Sequence, residues 1–519
     1  MSRRRWARRL GAVAAATALC ALYATARSPW HWLGWVAFVP WLLELDAAER
    51  ARTALLDAWL FTVAFTGAAL WWFPVVIQRY TGAPAAVCWL LHLALAPLLE
   101  PQLLAYAAAR RWGGRAVGVL AYVGVEWAYP KLLADTFGYG LYPAEDVRQV
   151  ADLGGAWVLT LLLLSVNEVL ALAARERRPR RLALAAAVCA AAVLGPAAYG
   201  RLRRAQLREG GGDAAPALVV GLVQTNLTRY DALAAREGTY AAAVHILEAH
   251  KALSSTLASR ERLDLLVWPE TSYPTTFGAP KSEEGAELDG EIRRLTSELS
   301  TPLLFGTYDA EGEREYNAAV LLAPGGARLG TYRKTRLFPL TERVPPWLEG
   351  ARGAMPWMGT WSEGSGAVVL RLPLRDGRSI PVAPLICYDA MDPSLAAAAR
   401  RLGAQALLTI SNDGWFSGTP VVELHLIGAA FRSIETRLPQ ARATPSGLTA
   451  SISSAGDVLL RAEPDRPGGV IAELQPAPAS PLTPAARWGP WPGPASLLAA
   501  AAALATLQVR RRLRGRRGP

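Results

Sequence analysis

Long apolar runs lie toward both ends of the chain, and a polar stretch with shorter apolar runs lies between them. Apolar segments fall at roughly 10–26, 30–45, 54–77, 84–108, 114–133, 155–173, 181–198 and 488–508. Most are near the length, about twenty residues, that a membrane-crossing helix needs. The pattern predicts eight transmembrane helices, seven before the polar stretch and one after it. Inside the polar stretch the period changes. Residues 217–226, 263–270, 302–308, 380–388 and 406–412 are short, apolar and bounded by turns or polar residues, as buried strands are, whereas 233–260, 284–299, 394–403 and 420–437 suit helices. Residues 317–322 and 327–332, joined across Pro324-Gly325-Gly326, predict a hairpin. Alternation of this kind predicts an α/β layered domain. With Gly210-Gly211-Gly212 as linker, the chain divides into a membrane domain (1–199), a linker (200–215), a soluble domain (216–484) and a final helix with a basic tail (485–519).

Composition agrees with a membrane protein: 52% of residues are apolar, 19% are charged, and there are 19 tryptophans. A net charge of +12 would suit a nucleic-acid partner if it formed one patch, but it is split into short clusters beside apolar segments, which is how topology is encoded. Arg3 to Arg9, Arg50 and Arg52, Arg110 to Arg115, Arg175 to Arg181 and Arg510 to Arg517 mark every other loop. The positive-inside rule then puts both termini in the cytoplasm and the soluble domain across the membrane. Arg201, Arg203, Arg204 and Arg208 lie on the opposite side and do not fit. The first segment, ending Ala24-Thr25-Ala26, also has the form of a cleavable signal; we expect it to be retained. Glu100 and Glu126 lie in apolar surroundings and receive no role from sequence alone.

Cys20, Cys88 and Cys189 sit in apolar segments, which leaves Cys387 as the cysteine of the polar stretch. It has no partner for a disulfide and no Cys or His pair for zinc, and no metal or cofactor is expected. Its setting, PLICYDAMDP, is a strand-to-helix corner, where a helix amino terminus and a nearby cation would favour the thiolate. Glu270, in VWPETSYP, ends an apolar run and could act as base toward a thiol. Lys334, in TYRKTRLFP, leaves the hairpin and could hold a developing oxyanion. This chain strongly prefers Arg, so a Lys there is a choice of chemistry. The plainer alternatives are a strand-end carboxylate, a solvated edge lysine and an inert buried cysteine. His425 sits on an amphipathic helix, where packing or a surface contact accounts for it.

Taken in order, VGLVQTNL, VWPETSYP, Lys334 followed by Glu342 in LTERVP, ICYD, SNDGWF, RSIETRLPQARAT and, in the apolar half, DLGGAWVLTLLLLSVNEVLA resemble the apolipoprotein N-acyltransferases. These are membrane-embedded members of the nitrilase, or carbon–nitrogen hydrolase, superfamily. The resemblance implies an α-β-β-α sandwich carrying a Glu270-Lys334-Cys387 triad. Glu342 would support Lys334 or orient the incoming nucleophile, and Tyr388, Asp389 and Trp415 would contact substrate. It also implies a bacterial inner-membrane enzyme with its catalytic domain on the periplasmic side. That enzyme would move an acyl chain from a phospholipid, through a thioester on Cys387, to the α-amine of a diacylglyceryl-cysteine on an apolipoprotein. Trp347, Trp357, Trp361 and Trp415 could rim such a site or simply pack inside. Asp389 stands where the family usually has Glu, Pro445 where Asn is usual, and the 226–230 loop lacks its usual Trp. Two other readings stay open: a membrane-anchored amidase or nitrilase acting on a small amide, and an inactive paralogue that binds lipoproteins.

Overall fold

A computed structural model of the chain describes residues 3–131, 134–176, 178–209, 217–344, 349–350, 353, 359–479 and 481–516. Trp347, Trp357 and residues 210–215 of the expected linker lie outside the described residues, as does the side chain of Trp415, while residues 200–209 of that linker belong to helix Pro179–Glu209. The chain forms two compact units, Met1–Ala205 with Trp488–Pro519, and Gln206–Arg487.

The first unit is helical. Among the described residues, Trp157–Glu176, Pro179–Glu209 and Pro492–Leu513 are long and apolar enough to cross a membrane. Ala51–Ala69 and Phe73–Thr81 together make a fourth candidate bent by 64°. The other predicted spans are shorter or interrupted. Segment 30–45 holds a tight turn at Trp30–Trp35 and the short helix Val39–Ala47. Segment 84–108 is divided into Ala85–Ala94, Ala96–Leu99 and Pro101–Gly113, and segment 114–133 supplies only Arg115–Ala128. Proline explains most of these breaks: Pro74, Pro97 and Pro101 each occupy the first turn of a new helix, and Tyr129-Pro130 follows the end of another. A proline lacks the N–H that would continue the preceding helix and its ring clashes with that helix's carbonyls, so an apolar run containing one restarts instead of continuing.

Charges buried in this unit are paired. Arg110 and Arg115 both reach Asp46, at 2.8 and 2.5 Å, and both reach Glu168, each at 2.5 Å. This network ties Val39–Ala47 to Pro101–Gly113, Arg115–Ala128 and Trp157–Glu176. Buried ions persist only when partnered in this way. Glu126 accepts from the Thr136 hydroxyl at 2.6 Å and the Phe137 N–H at 2.9 Å, and Glu100 faces Lys131 at 3.7 Å. Three of the four arginines that contradicted the topology rule are also paired. Arg201, Arg203 and Arg204 each lie 3.0 Å from a carboxylate, of Asp146, Asp152 and Glu145 respectively. Locally neutralised charge is a weaker topology signal than a free cluster.

The second unit has two six-stranded sheets, ordered β12-β1-β2-β3-β4-β5 and β11-β10-β9-β8-β7-β6. The first sheet contains β1 (Leu218–Gln224), β2 (Leu265–Val267), β3 (Leu303–Glu311), β4 (Arg314–Leu322), β5 (Arg328–Arg333) and β12 (Gly468–Leu474). The second contains β6 (Leu370–Pro373), β7 (Ser379–Ile386), β8 (Ala406–Ile410), β9 (Gln440–Ala443), β10 (Ala450–Ile452) and β11 (Val458–Arg461). Strand alternation sends Val220, Leu222, Leu265, Val267 and Leu321 inward to meet Ile380, Val382, Leu408, Ile410 and Ala441 in one core between the sheets. The opposite faces are apolar too. Leu266, Trp268 and Phe305 pack with Leu247, Leu257 and Ile292 from helices Thr239–Arg260 and Glu283–Glu298. Ala383, Leu385 and Leu407 pack with Leu395 and Ala399 of helix Pro393–Arg401. The result is the expected α-β-β-α sandwich. One predicted helix, 233–260, is two: Gly238, at φ +89°, separates Tyr230–Glu237 from Thr239–Arg260.

Candidate active site

Four strand ends converge on one buried point. β2 runs into Trp268-Pro269-Glu270 and β5 into Lys334, both from the first sheet. β7 runs into Cys387 and β8 into Ser411-Asn412-Asp413, from the second. β7, β8 and β9 are mutually parallel, so their carboxyl ends open at one edge, where α/β sheets usually present reactive groups.

Glu270 is held from both sides. Trp268 behind it is fully buried and donates its ring N–H to the Ser254 hydroxyl at 2.8 Å. In front, β3 passes so close that a Cβ on Gly306 would lie 2.6 Å from the Glu270 Cα and from the Pro269 carbonyl oxygen. Thr271, at φ +56°, turns the chain away at once. Glu270 Oε1 accepts from Asn317 Nδ2 at 2.8 Å and from Lys334 Nζ at 3.0 Å. Its Oε2 accepts from the Asn412 N–H at 2.8 Å, a bond that joins the two sheets. Because the atoms facing Gly306 are backbone, they cannot swing aside. Gly306→Ala is therefore expected to push Glu270 off its partners, costing about 1–3 kcal/mol in stability. Misplacing a reacting group by about 1 Å costs about 10²-fold in rate, so thermal unfolding and turnover should both report the change.

Lys334 is 1% exposed. Its backbone is fixed by its N–H to the Asn317 carbonyl and by the Gly364 N–H to its own carbonyl, both 2.8 Å. Nζ lies 3.0 Å from Glu270 Oε1 and 2.8 Å from Glu342 Oε1. Burial alone would lower its pKa, but Glu270 and Glu342 overcome that and hold it well above the usual lysine value. Glu342 is fixed in turn, its Oε2 accepting from the Phe338 N–H at 2.7 Å.

Cys387 is half-buried at the end of β7 with φ +49°. A non-glycine residue in the left-handed region is strained, by roughly 1–3 kcal/mol, and such residues cluster where geometry serves chemistry. Burial, with Glu270 adding, pushes its thiol up; Lys334 only partly offsets this. The expectation of a favoured thiolate is corrected here. Cys387 opens the short turn Cys387–Met391, not a regular helix whose amino terminus would lower the thiol pKa. The resting sulfur keeps its proton and needs a base.

Asp389 does not border an open site. It is fully buried, and burial pushes its carboxyl up to about 6. Its Oδ1 accepts from the N–H groups of Thr335 and Arg336 at 3.2 and 2.7 Å. Its Oδ2 accepts from the Tyr332 hydroxyl at 2.8 Å and the Ile386 N–H at 3.0 Å. One short carboxylate thus pins the segment after Lys334 to the corner carrying Cys387. Tyr388 packs its ring edge-on to Phe338 at 5.3 Å, and Phe338 meets Phe416 at 6.0 Å, which lines the corner with aromatic surface. Trp361 packs against Tyr308 at 4.7 Å.

Several residues here received no role from the sequence. Asn317 and Asn412 both orient Glu270. His425 is buried, with Nε2 2.9 Å from the Cys387 carbonyl and Nδ1 2.9 Å from Asp413 Oδ1. The SNDGWF run was the one signal for Asn412 and Asp413, and periodicity said nothing about what their side chains meet.

Relatives of this chain carry both of its halves. The chain matches the carbon-nitrogen hydrolase family over residues 220–482 and the apolipoprotein N-acyltransferase N-terminal domain over residues 17–169. The apolipoprotein N-acyltransferase of Chlorobaculum tepidum is 30% identical over 452 residues, covering 80% of this chain and 81% of that protein. The protein of the same name from Geobacter metallireducens is 29% identical, covering 82% of each. Among solved structures, an amidase from Nesterenkonia sp. superposes with a TM-score of 0.37 at 19% identity, over 51% of this chain and 94% of that one.

Proposed function

This chain belongs to the apolipoprotein N-acyltransferase family, and we propose that it carries a fatty acyl group from a membrane phospholipid to the free α-amine of a diacylglyceryl-cysteine on an apolipoprotein, through a thioester at Cys387. It is an acyltransferase of lipoprotein biosynthesis. Glu270 takes the thiol proton as Sγ attacks the ester carbonyl, and returns it to the departing lysophospholipid oxygen. The α-amine then attacks the thioester, Glu270 accepts the amine proton, and the sulfur leaves and recovers it. Lys334 holds the oxyanion in both steps.

The observation that supports this reading is the buried Lys334–Glu270 ion pair, whose two charges are both felt at the Cys387 thiol. A lysine ammonium has three N–H donors. Among the described residues Glu270 and Glu342 engage two, and the third is available to an acyl oxygen. Burial and Glu270 push the thiol up, so a base must take its proton as the sulfur attacks. The aromatic surface of Phe338, Tyr388 and Phe416 suits an acyl chain entering beside the sulfur.

Both substrates are lipids, which accounts for the membrane unit. We read all eight apolar segments as membrane-embedded, the proline-broken ones as interrupted spans. Leu90, at 70% exposure, and Leu98, at 59%, present bare apolar surface on the most broken of them. The Arg clusters support a catalytic domain on the periplasmic face of the inner membrane.

Intact-mass spectrometry of purified parent and Cys387→Ser protein, incubated with phospholipid vesicles, tests the mechanism. A hydroxylamine-labile mass increase of one acyl chain is expected on the parent alone. An unmodified parent would sink the acyl-enzyme reading, and steady release of free fatty acid without transfer would favour hydrolysis.

A further inference from the structure

We propose that His425 is a positioning residue for Cys387, held by Asp413 and Arg442 so that its Nε2–H grips the Cys387 carbonyl and fixes the strained corner from which the sulfur attacks. The proposal rests on the acyl-enzyme reading above and adds a group that the triad does not contain.

Cys387 adopts φ +49° without the freedom of glycine, so something must hold its backbone there. The Asp389 bond to the Ile386 N–H fixes the residue before it. The Cys387 carbonyl, on the far side of the strained dihedral, is held by His425 Nε2 at 2.9 Å. A carbonyl oxygen only accepts, so Nε2 carries the hydrogen and donates.

The ring is itself locked. Its Nδ1 lies 2.9 Å from Asp413 Oδ1 and 3.1 Å from Arg442 Nη2. Arg442 donates to Asp413 Oδ2 at 2.6 Å, and the Ser411 hydroxyl donates to Oδ1 at 2.8 Å. Burial would raise the Asp413 pKa, but Arg442 and His425 beside it keep it well below the usual carboxylate range. The three side chains come from three elements: the loop after β8, helix Val421–Thr436 and β9. Arg442 is fully buried, Asp413 1% exposed and His425 7%. Burying an arginine and a carboxylate is costly unless they pair, and this arrangement pairs them. Here it ends on the backbone of the nucleophile, and Gly447 leaves room for it: a Cβ there would lie 2.7 Å from Asp413 Oδ2.

Two substitutions separate positioning from packing. His425→Leu keeps apolar volume and removes the donor, whereas His425→Gln keeps an N–H donor at a comparable reach. Three quantities would be read for each full-length protein in detergent or vesicles. They are the rate of acyl-adduct formation from phospholipid, the rate of iodoacetamide labelling at Cys387 by peptide mapping, and the melting temperature. The Leu variant is expected to acylate about 10²-fold more slowly, the loss typical of a misoriented reactive group. Its labelling by the small, freely diffusing reagent should change far less. The Gln variant should recover to within about tenfold of the parent. The proposal fails if His425→Leu acylates at the parental rate. It also fails if Leu and Gln variants are equally slow, since that pattern reports lost packing. A parent that forms no adduct, with Cys387 still labelled by iodoacetamide, would instead remove the acyl-enzyme reading and this inference with it.

Discussion

Lys334→Met is expected to abolish acyl transfer and to destabilise the soluble unit at the same time. The ammonium lies within 3.0 Å of two carboxylates, Glu270 and Glu342, and is almost inaccessible to solvent. Methionine fills the space and leaves two buried carboxylates facing each other across it. Breaking a buried ion pair by removing one partner costs about 3–5 kcal/mol. The site can relieve part of that only if one carboxylate takes a proton. If Glu270 takes it, the base is lost as well. Loss of one oxyanion donor alone lowers rates by about 10²–10³-fold, so adduct formation should fall below detection. A companion variant separates the two effects. In the double variant Lys334→Met with Glu342→Gln, the second negative charge is gone, so stability should recover in denaturant titrations while activity stays absent. Recovery of activity would mean that Lys334 serves only to neutralise its neighbours.

The second large effect is expected at Asp389. Asp389→Ala strips the partner from four donors, the N–H groups of Thr335, Arg336 and Ile386 and the Tyr332 hydroxyl. At roughly 1–3 kcal/mol for each donor left unsatisfied, with water recovering some of them, a loss of about 3–5 kcal/mol is expected. The same change frees the Lys334 segment from the Cys387 corner, so adduct formation should slow by about 10²-fold. A pH dependence accompanies it. The folded-state pKa of Asp389 is raised to about 6 by burial, so between the unfolded value near 4 and 6 the folded state holds a proton that the unfolded state has released. This group's contribution to stability therefore falls as pH rises through that window. Asp389→Asn removes the titration. The difference in unfolding free energy between parent and Asn variant should change across pH 4 to 6 in that direction, and a constant difference would rule out Asp389 as its source.

The sandwich was legible because its inner strands are short apolar runs bounded by turns or polar residues and its helices carry one apolar face, as in 380–388 and 394–403. The missing strands were missed for a physical reason. β9 is Gln-Ala-Arg-Ala, and both Gln440 and Arg442 are fully buried, so a hydrophobic pattern reads this interior strand as a loop. In the helical unit, counting apolar residues overlooked Pro74, Pro97 and Pro101, which were visible and which end one helix and start the next. At the site, residue type and local setting were enough to single out Glu270, Lys334 and Cys387 as candidates, and Glu342 entered only through the family resemblance. In the sequence, Asp389 showed only as a shorter carboxylate than the Glu usual in the family. It is the length that lets four donors from three segments close on one buried group. His425 looked like packing because its partners, a backbone carbonyl and an aspartate from another element, leave no trace in helical spacing.

The two ends of the soluble unit meet in its first sheet, where β12 pairs antiparallel with β1 from Leu218↔Leu474 to Gln224↔Gly468. The ribosome therefore makes β1 long before the strand that covers its outer edge. Until Gly468 onward has been synthesised and delivered, the outer edge of LVVGLVQ is unpaired, the kind of edge that recruits other chains. A message truncated between the two strands would leave an aggregation-prone product, so this sheet closes only after every other strand of the unit has been made.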